Sequence, residues 1–119
     1  MEIQELNHVA IYVKDVEEST RFYKDILELQ PIPRPAFNFP GAWFRLGSHQ
    51  ELHLIGNRSE EITLHKRHHF ALKVASAKEA ETFLKKKEVK YTGPKERPDG
   101  ATQIFIQDPD GYHIELFSF

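Results

Sequence analysis

HFALKVASAKEAETF, residues 69–83, repeats the build of HVAIYVKDVEESTRF, residues 8–22, and that repetition decides the fold. Aligning 8–24 with 69–85 pairs His8 with His69, Ala10 with Ala71, Val13 with Val74, Glu18 with Glu79, Phe22 with Phe83 and Lys24 with Lys85. Val9 and Ile11 match Phe70 and Leu72 in type, so each copy opens with the period-2 alternation of a half-buried strand. A helix then begins the same way in both. Asp15 precedes Val-Glu-Glu18 and Ser76 precedes Ala-Lys-Glu79, the pattern of a capping box in which a side-chain oxygen takes up an orphan N–H and the Glu reaches back. Val16, Ser19, Phe22, Tyr23 and Ile26, and then Ala77, Ala80, Phe83 and Leu84, recur at three- and four-residue spacing. This predicts helices with one buried stripe each, running to about Leu27 and Lys87.

Downstream of each helix the chain becomes strand-like. QPIPRPAF (30–37) is broken by prolines and reads as a poor edge strand; AWFRLG and QELHLIG follow, separated by a turn at Gly47-Ser48-His49. The second half supplies VKYTG (89–93), ATQIFIQD and YHIELFSF, the last two joined by the turn Asp108-Pro109-Asp110-Gly111. The expected fold is therefore α+β, two tandem βαβββ units in one domain spanning 1–119. Unit one covers about 4–56, a polar linker about 57–67 and unit two about 68–119.

Composition narrows the function classes. A chain of 119 residues, 39% hydrophobic and 29% charged, can bury a core, and 16 Lys and Arg against 18 Asp and Glu give no general nucleic-acid or membrane-binding surface. No apolar run approaches the roughly 20 residues of a membrane span, and MEIQELNH lacks a signal-peptide layout, so a cytoplasmic protein is expected. With no cysteine, disulfides and thiolate chemistry are absent, and any metal must sit on His, Asp or Glu.

Four such residues stand at the ends of the repeat. Leu52-His53-Leu54-Ile55 aligns with Ile114-Glu115-Leu116-Phe117, so each unit opens with a histidine and closes with a further candidate ligand. If Val9, Ile11 and Val13 face the helix layer, strand alternation turns His8 away from it; the same parity turns His53, His69 and Glu115 away from the helices. A sheet curved around that face, forming a metal-binding cavity, would gather three imidazoles and a carboxylate. A carboxylate in a strand as apolar as YHIELF needs a counter-charge, and no Arg or Lys lies on that strand. A divalent ion (Zn, Ni, Co, Mn or Fe(II)) would supply it and leave coordination positions open to a substrate.

LNHVAIYVKDVEESTRFYKDIL, HHFALKV and DPDGYHIELF, in this order across essentially the whole chain, resemble the vicinal oxygen chelate superfamily, which includes glyoxalase I, extradiol dioxygenases and methylmalonyl-CoA epimerase. The resemblance implies that His8, His53, His69 and Glu115 occupy the four metal positions, within one chain or across the interface of a homodimer. Position 53 carries His where glyoxalase I usually has glutamate, and Tyr12 stands where bacterial glyoxalases often have arginine. The implied activity is metal-dependent lyase or isomerase chemistry of glyoxalase or epimerase type, through an enediolate of a small substrate, with Glu115 or a metal-bound hydroxide removing the proton. A ferrous extradiol-type dioxygenase is the alternative, with His8, His69 and Glu115 on the iron and His53 as a pocket acid or base. An epoxide-opening resistance transferase and a non-catalytic drug-binding protein are further alternatives.

RPAFNFPGAW (34–43) holds Arg34, Phe37, Phe39 and Trp43, followed by Arg45. Its aromatics either close the core beneath a proline-stiffened loop or cover the open metal positions, where with the arginines they would bind an apolar substrate bearing a carboxylate or phosphate. His113, on the same strand face as Glu115, is a further candidate for the substrate wall, whereas His49, His65 and His68 read as solvated; Arg97, near Pro98-Asp99-Gly100, reads either as a loop residue or as another arginine of the anion-binding kind.

Overall fold

The computed structural model describes residues 1–119. The chain divides into two compact units, Met1–Glu61 and Ile62–Phe119, the division falling inside the polar stretch GNRSEEITLHKR. Both are α+β with a four-stranded mixed sheet.

In the first unit the elements are β1 (His8–Tyr12), α1 (Val16–Thr20) continued by a wider helical turn (Arg21–Ile26), β2 (Pro31–Ile32), β3 (Gly41–Leu46) and β4 (Gln50–Ile55). The sheet order is β1-β4-β3-β2, with β1 parallel to β4 and the other pairs antiparallel. Alternation sets the core: Ile11, Val13, Phe44, Leu46, Leu52 and Leu54 are buried. Asp15 caps α1 by accepting from the Glu17 and Glu18 N–H groups at 2.9 and 3.2 Å.

Where the apolar spacing predicts a plain helix to about Leu27, the structure has an α-helix only to Thr20 and then a π-type turn, in which the Leu27 N–H reaches back to the Phe22 carbonyl. The consecutive Phe22 and Tyr23 explain it, since both are buried, their rings edge-to-face at 5.0 Å, and the widened turn brings neighbouring residues onto one side.

The second unit repeats the plan with β5 (His69–Lys73), α2 (Ala77–Lys86), β6 (Thr92–Glu96), β7 (Thr102–Gln107) and β8 (His113–Ser118), in the order β5-β8-β7-β6. Here β5 and β8 are parallel, and Ile104, Ile106, Ile114 and Leu84 form the core. Ser76 caps α2 through the Glu79 N–H, and no helix is long and apolar enough to cross a membrane.

The edge strands depart from the sequence reading. The prolines of 30–37 leave only two residues paired in β2. The third-last strand begins at Thr92 rather than Val89, because the Val89 N–H closes the end of α2 on the Leu84 carbonyl and is not available to the sheet.

Candidate functional site

Each unit carries its share of the candidate residues on the sheet face opposite its helix. In the second unit, Ala71 of β5 lies opposite Glu115 of β8 and His69 opposite His113. Glu115 is 4% exposed. Its Oε1 accepts from Gln103 Nε2 at 2.7 Å and from Arg97 Nη1 at 3.3 Å, and its Oε2 faces His69 Nε2 at 3.1 Å. His69 Nδ1 lies 2.9 Å from the Lys66 carbonyl, which can only accept, so the hydrogen-bond network puts a hydrogen on Nδ1. In the neutral ring Nε2 then points a lone pair at a carboxylate oxygen. Two electron-rich atoms at that separation need a proton or a metal cation between them.

Glu115 finds no counter-charge on its own strand, as expected from YHIELF; the fold brings one from elsewhere. Arg97, in the loop between β6 and β7, is held by Asp99 through Nε to Oδ1 at 2.8 Å and Nη2 to Oδ2 at 2.6 Å. The same pairing holds the Asp99 carboxyl down to about 2, the Arg97 hydrogen bond being the main cause, and raises Arg97 above its ordinary value. Gln103, on β7, was missed by the sequence reading. One signal for Arg97 was in the sequence: Arg97-Pro98 mirrors Arg34-Pro35 at the matching place in the other unit.

The Asp99 shift carries a pH prediction with a definite sign. The folded value lies below the ordinary 3.8, so the stabilisation from the pair is fully present above that value and disappears as pH falls toward about 2. Asp99→Asn should therefore be less stable than wild type at neutral pH and converge on it near pH 2, as read by urea unfolding across pH 2–7. Equal curves throughout would show that the pair stabilises nothing.

In the first unit the face bears a row of rings. Phe39 and Phe37 stack at 5.0 Å, Phe37 lies 6.3 Å from Trp43, Trp43 stacks on His53 at 3.8 Å with planes 1° apart, and His53 stacks on His8 at 4.1 Å. Phe37 and Phe39 are exposed, so the 34–43 loop does not close the core. Arg34 lies over both phenylalanine rings at 4.9 Å and donates from Nη2 to the Phe39 carbonyl at 2.9 Å. It can do so because residue 41 is glycine: a Cβ there would meet the Leu54 carbonyl and come within 2.8 Å of the Arg34 guanidinium. By register Gly41 corresponds to Gln103, so Arg34 and Arg97 occupy matching places with different partners.

The sequence-predicted residues thus fall into two groups. The first unit brings together Arg34, Phe37, Phe39, Trp43, His53 and His8, while Arg45 instead pairs with Glu51 at 3.6 Å. The second brings together His69 and Glu115. His113 lines a cavity of that unit beside Phe105 and Lys66. His49, His65 and His68 are exposed, with His49 Nε2 2.9 Å from a Glu5 carboxylate oxygen. No group of three or more His, Asp or Glu side chains able to hold a metal is gathered in the structure.

Taken one at a time, three donors nonetheless have the chemistry of metal ligands. His69 is aimed by the Lys66 carbonyl, His8 Nδ1 by the Asn7 Oδ1 at 2.9 Å, and Glu115 by Gln103 and Arg97 on its other oxygen; each keeps one ligating atom free of these supports. His53 fits less well. Its Nε2, 2.9 Å from Glu51 Oε1, is supported as the others are, but His53 and His8 stack at 4.1 Å, and rings stacked this way send their lone pairs along nearly parallel planes that do not converge on one ion. Glu51, two residues before His53 and so on the same face, is a further neighbour of the candidate residues that the sequence reading did not weigh.

Comparison with known proteins gives this arrangement a context. Residues 5–116 match the Glyoxalase/Bleomycin resistance protein/Dioxygenase superfamily. The chain is 30% identical to Glyoxylase I 4 of Arabidopsis thaliana over 98% of its own length and 71% of the relative's. It is 29% identical to the mitochondrial methylmalonyl-CoA epimerase of Bos taurus over 93% of this chain and 72% of that one. Among solved structures, a glyoxalase family protein from Bacillus anthracis superposes with a TM-score of 0.86 at 28% identity, covering 99% of this chain and 97% of the other.

Proposed function

Because the chain belongs to the Glyoxalase/Bleomycin resistance protein/Dioxygenase superfamily, we propose that it is a divalent-metal-dependent enzyme acting on a small substrate with adjacent oxygens, by lyase or isomerase chemistry of glyoxalase or epimerase type. The observation that carries this reading is the His69 ring, oriented by the Lys66 carbonyl so that Nε2 faces Glu115 Oε2 at 3.1 Å. His8, His69 and Glu115 are the proposed metal ligands. The ion would act there as a Lewis acid, stabilising negative charge on the substrate oxygens.

The chain's own groups divide the remaining work. Both Glu115 oxygens are engaged, one by Gln103 and Arg97 and one toward His69, so its proposed role is to hold the ion rather than to move a proton. His53 with Glu51 forms an imidazole–carboxylate pair at 2.9 Å, the arrangement of a general base steadied by a third group, and we assign proton transfer to it. Phe37, Phe39 and Trp43 would cover an apolar part of the substrate, and Arg34 would meet an anionic one.

Withdrawing His53 from the donor set also favours a second reading, since two imidazoles and one carboxylate make the set typical of ferrous oxygenases. Oxygen consumption that requires ferrous iron supports that reading; anaerobic turnover with nickel, cobalt or zinc supports the first.

The test of metal dependence is the metal content of protein purified without chelators, beside His69→Ala. About one equivalent in wild type and a loss of at least about tenfold in affinity in the variant is the expected result. Equal, substoichiometric metal in both would contradict it.

A further inference from the structure

The second unit contains a cavity of about 760 Å³ that none of the roles above uses. That volume suits a small organic ligand. Its walls are apolar where Val89, Phe105 and Ile106 line it, and its charged groups are Lys66 and Lys90, with no carboxylate in the lining. In a chain whose net charge is −2, a cavity carrying only cationic charge selects for anions.

Lys66 is fixed from both ends. Its carbonyl accepts from His69, and its ammonium lies 4.8 Å over the Phe105 ring, which in turn meets the His69 ring edge-to-face at 5.2 Å. Neither Lys66 nor Lys90 has a carboxylate partner in the structure, so each ammonium is available to a ligand. The nearby acid is on the outside of the wall: Glu81 accepts from the Tyr91 hydroxyl at 2.7 Å and holds that ring in place.

From these contacts we propose that this cavity binds a carboxylate or phosphate carried on an apolar body, with the anion on Lys66 and Lys90 and the body against Phe105 and Val89. The proposal rests on the reading above only for the cavity's part in a reaction, because Lys66 and Phe105 place it directly beside His69. Ligand binding itself does not require the metal. The two ideas are therefore separable.

The test is calorimetric titration of the full chain in EDTA with phenyl phosphate, phenylacetate, inorganic phosphate and benzyl alcohol, repeated on Lys66→Met and Lys90→Met. The expected result is saturable binding of phenyl phosphate or phenylacetate, weakened about fivefold or more by each substitution, with benzyl alcohol and inorganic phosphate each at least about tenfold weaker. The stronger of the two aromatic anions identifies the headgroup. Absence of saturable binding, indifference to both substitutions, or equal binding of benzyl alcohol or inorganic phosphate would overturn the proposal. Thermal unfolding of each variant confirms that a lost signal is not lost fold. Metal content measured on the same wild-type protein keeps the two outcomes apart: intact metal with no anion binding sinks only this inference, and anion binding without metal sinks only the metal reading.

Discussion

Glu115→Gln is expected to reduce turnover by about 100-fold or more while leaving the protein folded. Glutamine keeps the shape and one carbonyl oxygen, so the Gln103 amide and the Arg97 guanidinium still find an acceptor where Oε1 stands now. What it removes is the charge that a divalent ion would meet beside His69, and metal affinity should fall with turnover. Glu115→Ala is a harsher change. It strips both donors of their partner at a position only 4% exposed, at a cost of about 1–3 kcal/mol on top of the functional loss. Metal content, unfolding midpoint and turnover measured on both variants separate the two effects. A glutamine variant as active and as metal-rich as wild type would show that Glu115 is only a structural acceptor for Arg97 and Gln103.

The second large effect is on stability. Leu84 is the one long aliphatic side chain of α2 that is wholly buried; besides it, only Ala77 of that helix is buried, and Phe83 is partly exposed. Leu84→Ala removes the largest buried side chain of the helix and leaves a cavity where α2 packs on β7 and β8, which should cost about 2–5 kcal/mol. That is a large share of the ~5–15 kcal/mol typical of a domain, so a marked fall in the urea midpoint is expected. Lys85→Ala, one residue along and exposed, should stay within about 0.5 kcal/mol of wild type. A loss below about 1 kcal/mol for Leu84→Ala would mean that α2 is not held by its buried face.

The duplicated strand and helix were legible because their physics is local. Period-2 alternation at 8–13 and 69–74, and the caps at Asp15 and Ser76, follow from neighbouring residues alone, and the structure forms both. The π-type turn was not, since it answers the need to bury Phe22 and Tyr23 side by side, a demand set by the sheet beneath. Nor was the start of β6, where the end of α2 takes the Val89 N–H that the strand pattern assigned to the sheet.

At the site, strand parity placed His69 with Glu115 and His8 with His53, each pair within its own unit. The partners that decide what those residues can do came from a distance or from an unweighted neighbour. Arg97 reaches Glu115 across 18 positions of chain, which no reading of the β8 strand could supply, although its Arg-Pro echo at Arg34 marked the place. Glu51 lay two residues from His53 on the same face and was visible to the same parity argument. Its contact with His53 Nε2 at 2.9 Å is what the proposed proton-transfer role of His53 rests on.

The most direct test of the proposed metal site is a zinc titration of the full chain followed by nitrogen NMR of its histidine side chains. Stoichiometric binding should move the Nε2 resonances of His8 and His69 together, leave their Nδ1–H groups in place on Asn7 and Lys66, and leave His53 bound to Glu51. Resonances of His8 and His69 that stay still at one equivalent of zinc would contradict the account.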